Sequence, residues 1–251
     1  MAETILVTGA SAGFGQAICQ RLVADGHRVI GAARRIEKLQ ALHEELGEAF
    51  YPLQMDVTDL TQVDHALASL PADWEQIDVL VNNAGLALGL APTQKAEIAD
   101  WLTMIQTNII GLTYLTRQIL PQMVERNDGY VINMGSTAGT VPYPGANVYG
   151  ASKAFVKQFS LNLRADLAGK QIRVTNIEPG LCEGTEFSAV RFKGDEKRVE
   201  ALYRDAHAIQ PEDIANTVSW LIQQPKHVNI NRIEMMPVSQ SFGPQPVYRG
   251  D

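Results

Sequence analysis

Seven short runs of β-branched and other apolar residues, at 5–8, 28–32, 50–54, 79–82, 130–134, 172–177 and 230–235, read as strands. The first six are apolar almost without a break, the pattern of strands covered on both faces. Between them lie 15–25, 37–46, 61–70, 99–126, 149–167 and 211–223, where apolar residues recur at helical spacing. The last of these opens on Pro211-Glu212-Asp213, a strong helix start, since proline needs no partner for its nitrogen there and carboxylates favour the positive end of the dipole. Repeated strand–helix units predict an α/β fold with one doubly wound parallel sheet and helices on both faces. Ligands of such sheets sit at the carboxyl ends of the strands.

A chain of 251 residues, 45% hydrophobic, fills one core and leaves little for a second, and no repeat or hinge divides it. A single domain, 1–251, is expected. The stretch 178–210 breaks the alternation: Phe187, Phe192 and Tyr203 stand among charges, as in a substrate lid (about 182–210) carrying one or two short helices. No apolar run approaches the roughly 18 residues of a membrane span, and the start lacks a charged and apolar export signal, so a cytoplasmic location is expected. Cys19 and Cys182 form no CxxC, and the histidines have no ligand spacing, so neither a disulfide framework nor a metal site is indicated. The net charge is −7 with scattered basic residues, which argues against nucleic acid.

One basic cluster, Arg34, Arg35 and Lys38, stands out, and it follows the second strand. The first strand leads into Thr8-Gly9-Ala10-Ser11-Ala12-Gly13-Phe14-Gly15, a glycine-rich turn that brings backbone N–H groups and a helix N-terminus to a pyrophosphate. Gly9 permits the turn, Gly13 spares the phosphates a side chain, and Gly15 lets the helix pack closely. A tight βα turn without a ligand would use glycines too, but strand before and helix after favour the Rossmann arrangement. NAD-binding chains carry an acid at the end of the second strand. Here two arginines replace it, suited to bidentate pairing with a 2′-phosphate, so NADP(H) is the expected cofactor. Asp56-Val57, ending the third strand, suit an adenine: carboxylate to amino group, valine to ring. Asn83, Ala84 and Gly85, ending the fourth, let the chain pass beside the cofactor, although asparagine and glycine are also ordinary turn residues.

Tyr149 and Lys153 lie four apart at a helix start and share a face. A phenol with a pKa near 10 is a poor proton carrier at neutral pH, but a neighbouring ammonium and an oxidised nicotinamide both favour phenolate. Such pairs are also common on solvated helix faces. Ser136 follows the fifth strand, where its hydroxyl can orient a substrate oxygen beside Tyr149. Asn108, a polar residue in an apolar helix, could anchor a water to Lys153.

Taken together, TGxxxGxG at 8–15, NNAG at 82–85, Asn108, Ser136, YxxxK at 149–153 and Pro179-Gly180 resemble the short-chain dehydrogenase/reductases over essentially the full chain. The resemblance implies a catalytic tetrad of Asn108, Ser136, Tyr149 and Lys153. It also implies cofactor contacts from Gly9, Ser11, Gly13, Phe14, Gly15, Arg34, Arg35, Asp56, Val57, Asn83, Ala84, Gly85, Tyr149, Lys153, Pro179, Gly180 and Thr185. A homotetramer or homodimer formed through the helices at 99–126 and 149–168 is implied as well. Within the family, 12–15, 135–139, 184–188, 190–194, 229–231 and 235–238 are similar to the bacterial NADP-dependent 3-hydroxy acid dehydrogenases, also described as L-allo-threonine dehydrogenase or malonic semialdehyde reductase. Cys182-Glu183 departs from that pattern in the cofactor and lid loop.

These residues point to hydride exchange with a small 3-hydroxy acid or its semialdehyde or keto form: serine, allo-threonine or 3-hydroxypropionate. Ser136 and Tyr149 would hold its oxygen and Arg191 its carboxylate, although Arg191 could equally be a solvated loop residue. Reduction of larger ketones or acyl thioesters is the enzymatic alternative, and a non-catalytic NADP-sensing regulator is the alternative of another class.

Overall fold

The first apolar run becomes β1 (Thr4–Thr8), buried along its whole length. The later strands are β2 (Arg28–Ala33), β3 (Phe50–Gln54), β4 (Val79–Asn82), β5 (Gly129–Met134), β6 (Ile172–Pro179) and β7 (Arg232–Met235). They form one sheet in the order β3-β2-β1-β4-β5-β6-β7, every neighbour parallel. This computed structural model describes residues 2–243; the expected domain limits, 1 and 251, lie outside the described residues.

Nine α-helices accompany the strands among these residues: α1 (Gly13–Ala24), α2 (Ile36–Leu46), α3 (Leu60–Ala68), α4 (Ile98–Ile105), α5 (Leu112–Arg126), α6 (Asn147–Asp166), α7 (Phe187–Arg191), α8 (Glu196–Tyr203) and α9 (Pro211–Gln223). Because strand side chains alternate, Ile5 and Val7 face one layer and Leu6 the other. The first layer is built by Ile18 and Leu22 of α1, Leu39 of α2 and Ile214, Val218 and Leu221 of α9. Val63 of α3, Leu115, Ile119 and Met123 of α5 and Leu163 of α6 build the second. Burying each such aliphatic side chain contributes on the order of 1.5–3 kcal/mol, which is why the sheet is closed on both faces. α9 starts where the proline predicts, and the Asp213 carboxylate accepts the Gln210 N–H at 2.9 Å.

Two features depart from the simple alternation. The helix expected over 99–126 is interrupted by a π turn, Gln106–Gly111, between α4 and α5. Such a turn re-aims side chains without ending the helix. The stretch after β6 carries the short α7 and α8, tied back by the Tyr203 hydroxyl, which donates to the Cys182 carbonyl at 2.7 Å.

A polar ladder runs beneath the carboxyl ends of the central strands. Asn82 donates to Thr116 and to Asn133, each at 2.9 Å, and Asn133 donates to Ser160 at 2.8 Å. All four are buried, so each depends on its partners rather than on water, and β4 and β5 are fixed to α5 and α6. β1 and β4 are neighbours whose connections leave in opposite directions, so a crevice opens above their ends.

Candidate active site

The crevice begins at the turn from β1 into α1. Gly9 sits at φ +68°, a backbone shape that favours glycine. A Cβ on Gly15 would fall 2.2 Å from the Gly9 carbonyl oxygen and 2.7 Å from Asn83 Nδ2. Gly15 is thus required for the helix to close on the turn itself. A Cβ on Gly13 would meet the Thr185 side chain at 3.0 Å, so this glycine also lets the stretch after β6 approach. No side chain caps the first turn of α1 and no acidic residue lies in it, leaving its N–H groups and positive dipole end for an anion.

Asn83 braces this turn from the neighbouring strand. Its Nδ2 donates to the Thr8 carbonyl at 2.8 Å, while the backbone N–H groups of Asn83 and Ala84 donate to the Thr8 hydroxyl at 3.0 and 2.9 Å. Gly85 follows: a Cβ there would lie 3.3 Å from both Lys153 Nζ and Asn108 Oδ1.

At the far end, Arg34, Arg35, Asp56 and Val57 line the crevice, joined by Thr58. Asp56 Oδ1 accepts from the N–H and hydroxyl of Thr58 at 2.9 and 2.8 Å, which fixes the turn after β3. Arg35 donates to the Ser11 hydroxyl through Nε at 3.2 Å and Nη2 at 3.0 Å. The same guanidinium grips the Glu186 carboxylate with Nη1 at 3.1 Å and Nη2 at 2.9 Å, and Lys38 joins at 3.0 Å. These hydrogen bonds and the two cations hold the Glu186 carboxyl down to about 2.

At the catalytic end, Ser136 caps a short turn after β5: its Oγ accepts from the Ala138 N–H at 3.1 Å and donates to the Pro179 carbonyl at 3.3 Å. Tyr149 and Lys153 project from the first turns of α6, 8% and 6% exposed. Lys153 Nζ donates to the Met134 carbonyl at 2.8 Å and stands 5.9 Å from the centre of the Tyr149 ring.

The electrostatics correct one expectation. Lys153 was expected to make the phenol acidic. Lys153 is not among the groups that shift it; burial pushes Tyr149 up to about 12 against the opposing pulls of a hydrogen bond with Ser136 and the Arg191 charge. Burial also pushes the Lys153 ammonium down to about 8. Before any ligand enters, Tyr149 is therefore an acid holding its proton at neutral pH.

Asn108 is 1% exposed, and its side chain is bound within the chain. Its Nδ2 donates to the Leu86 carbonyl at 2.9 Å and to Ser152 Oγ at 3.0 Å, and its Oδ1 accepts the Leu86 N–H at 3.0 Å. From the π turn it clamps the chain just beyond Gly85 against α6. It is a positioning residue.

The chain matches the short chain dehydrogenase family over residues 3–196. It is 59% identical over 245 residues, 98% of this chain and 99% of the other, to the NADP-dependent 3-hydroxy acid dehydrogenase of Salmonella typhi. The chain belongs to the short chain dehydrogenases. It is also 53% identical over 249 residues, 99% of both chains, to serine 3-dehydrogenase of Rhizobium radiobacter. Among solved structures, the closed form of serine dehydrogenase complexed with NADP+ matches with a TM-score of 0.97 and 57% identity, covering 98% of this chain and all of that one.

In this dehydrogenase one crevice takes in Gly9, Ser11, Gly13, Phe14, Arg34, Arg35, Asp56, Val57, Asn83, Ala84, Gly85, Ser136, Tyr149, Lys153, Pro179, Gly180 and Thr185. Gly15 and Asn108 lie behind its wall, where they shape the turn and the Leu86 strap. The uncapped α1 terminus, with the basic cluster beside it through the Arg35–Ser11 contact, fits the diphosphate and the neighbouring adenosine ribose of a dinucleotide.

Arg191, at the end of α7, reaches over the catalytic end. Its guanidinium carbon is 5.3 Å from the centre of the Tyr143 ring and 5.5 Å from that of Tyr149. Nη2 donates to the Tyr143 hydroxyl at 2.8 Å, whereas Nε is buried with no hydrogen-bond partner. Phe187 packs on Tyr149 with ring centres 5.8 Å apart. Sequence reasoning gave Tyr143 and Glu186 no role, because their partners lie 48 and 151 residues away. Cys182 lines the crevice too, and burial pushes its thiol up to about 12, so it stays a protonated wall residue.

Proposed function

We propose that this chain is an NADP(H)-dependent oxidoreductase that interconverts small 3-hydroxy acids with their semialdehyde or keto forms; serine, allo-threonine and 3-hydroxypropionate are the candidate substrates. The observation that carries the reading is the Arg191 guanidinium above Tyr149, with a buried Nε lacking a partner. A cation so placed suits a carboxylate a few ångströms from the reacting hydroxyl. The relatives named for 3-hydroxy acid and serine oxidation support it.

Arg34 and Arg35 would hold the 2′-phosphate, the α1 N-terminus and Thr185 the diphosphate, and Lys153, Pro179 and Gly180 the nicotinamide end. A bound nicotinamide supplies or accepts the hydride at the substrate carbon. Ser136 and Tyr149 hold the substrate oxygen, and Tyr149 gives the proton in reduction or takes it in oxidation. Burial holds the proton on the phenol, the form that donates in carbonyl reduction. In the other direction a nearby positive charge must first draw the phenol down. The stretch 182–210 acts as a lid that brings Phe187 and Arg191 over the substrate.

We also propose a homotetramer or homodimer, supported by apolar side chains that α4 and α6 leave in solvent: Ile98 and Leu102, each 61% exposed, and Phe155 stacked on Phe159. Cytoplasmic residence is part of the same reading, in keeping with two unbridged thiols. Among the described residues no helix is long and apolar enough to cross a membrane.

The test is NADPH oxidation, followed by absorbance, with malonic semialdehyde, a β-keto thioester and a bulky ketone, and NADP+ reduction with serine and allo-threonine. Turnover of the small acids with a marked preference for the phosphorylated cofactor is expected. A preference for NADH, or turnover of the bulky substrates alone, overturns the reading. Binding of cofactor without any turnover would indicate a sensor.

A further inference from the structure

The cluster assigned to the 2′-phosphate already grips an anion supplied by the chain itself. A guanidinium has five N–H donors. On Arg35, Nε and one Nη2 proton go to Ser11, and the other Nη2 proton and one on Nη1 go to Glu186. A single N–H is left, too few for the bidentate grip that a phosphate takes from arginine. Lys38 spends its charge on the same carboxylate. Glu186 immediately precedes α7, whose Phe187 and Arg191 cover Tyr149.

We infer that Glu186 is an internal stand-in for the 2′-phosphate: it holds Arg35 and Lys38 until the phosphate arrives and must then yield them. Glu186 thereby becomes a specificity-determining residue, because only the phosphorylated dinucleotide competes for its partners. It also couples the two ends of the site, since the side chain that must let go anchors the helix lying over the catalytic phenol. Its carboxyl stays ionised well below neutral pH, so the competition operates across the physiological range. The groups that face it are Arg35, Lys38 and the Ser11 hydroxyl shared through Arg35.

This inference rests on the assignment of the 2′-phosphate to Arg34 and Arg35, and the test separates the two. Calorimetric titration of the full chain with 2′,5′-ADP and with 5′-AMP, which differ only in that phosphate, is compared for the natural protein, Glu186→Gln and Arg35→Leu. Both ion pairs are solvent-exposed, so Glu186→Gln should tighten 2′,5′-ADP by a modest factor, about 2- to 10-fold, and change 5′-AMP by less than about 2-fold. Arg35→Leu should weaken 2′,5′-ADP alone. If Glu186→Gln leaves 2′,5′-ADP unchanged or weakens it, or tightens both ligands alike, while Arg35→Leu still weakens 2′,5′-ADP, the stand-in role is wrong and the phosphate assignment survives. If Arg35→Leu treats both ligands alike, the assignment fails and the inference falls with it.

Discussion

The guanidinium carbon of Arg191 lies 5.5 Å from the centre of the Tyr149 ring, which sets a fixed cation beside the proton donor. Replacing Arg191 by methionine should raise KM for a 3-hydroxy acid about 10- to 100-fold, the worth of one charge-assisted hydrogen bond. A neutral alcohol or ketone of the same size should be turned over with little change. Equal losses for both would mean that the arginine only packs against Tyr143 and Tyr149.

Tyr149→Phe removes the hydroxyl and leaves the ring against Phe187. Turnover should fall by about 100-fold or more, as expected for the loss of a general acid. NADPH binding, followed by fluorescence, should stay within about 3-fold, because the lost hydroxyl forms none of the phosphate contacts. A variant that still turns over at the natural rate would remove Tyr149 from the mechanism.

Lys153 gives a pH signature in stability. Its pKa falls from 10.5 to about 8 on folding, so between these values the unfolded chain holds a proton that the folded chain has released. Stability contributed at this position therefore rises with pH in that window, and the cost of the buried charge is fully present below it. Denaturant titrations of the natural protein and Lys153→Met should diverge from pH 8 upward, by at most about 1.4 kcal/mol per pH unit in favour of the natural protein. Parallel curves would mean that the ammonium is not held in the dry setting described.

Gly15→Ala drives a methyl into the Gly9 carbonyl, 2.2 Å away. The turn has to open, at a cost of about 1–3 kcal/mol or more, measurable as a lowered midpoint in denaturant. Cofactor affinity should drop further than stability alone explains, because the displaced turn holds the diphosphate. Unchanged melting and binding would contradict the close approach of α1 to the turn.

The sheet was legible because its strands are apolar on both faces, a property each carries in its own residues; Ile5 to Thr8 announce a buried strand without knowledge of their neighbours. The turn at 8–15 and the Tyr149–Lys153 pair were legible for the same reason, being written in local spacing. What escaped depends on distance. Nothing near Asn108 states that its amide is spent on Leu86 and Ser152, 22 and 44 positions away, although a polar Gln106-Thr107-Asn108 inside an apolar helix hinted at the break. Likewise the depth of burial that decides the Tyr149 proton is a property of the assembled crevice, and the i,i+4 ammonium suggested the opposite sign.

The π turn between α4 and α5 separates two demands on one rod. A turn with i to i+5 bonding absorbs one more residue than an α turn. Shortening Gln106–Gly111 by one residue would therefore regularise the rod and leave Leu115, Ile119 and Met123 seated on the sheet. The amide of Asn108 would swing off Leu86, and the strap beside Gly85 and Lys153 would lose its anchor. Such a protein would fold and melt much as its parent does, yet be misaligned where the reaction occurs: the spare residue serves the chemistry and not the architecture.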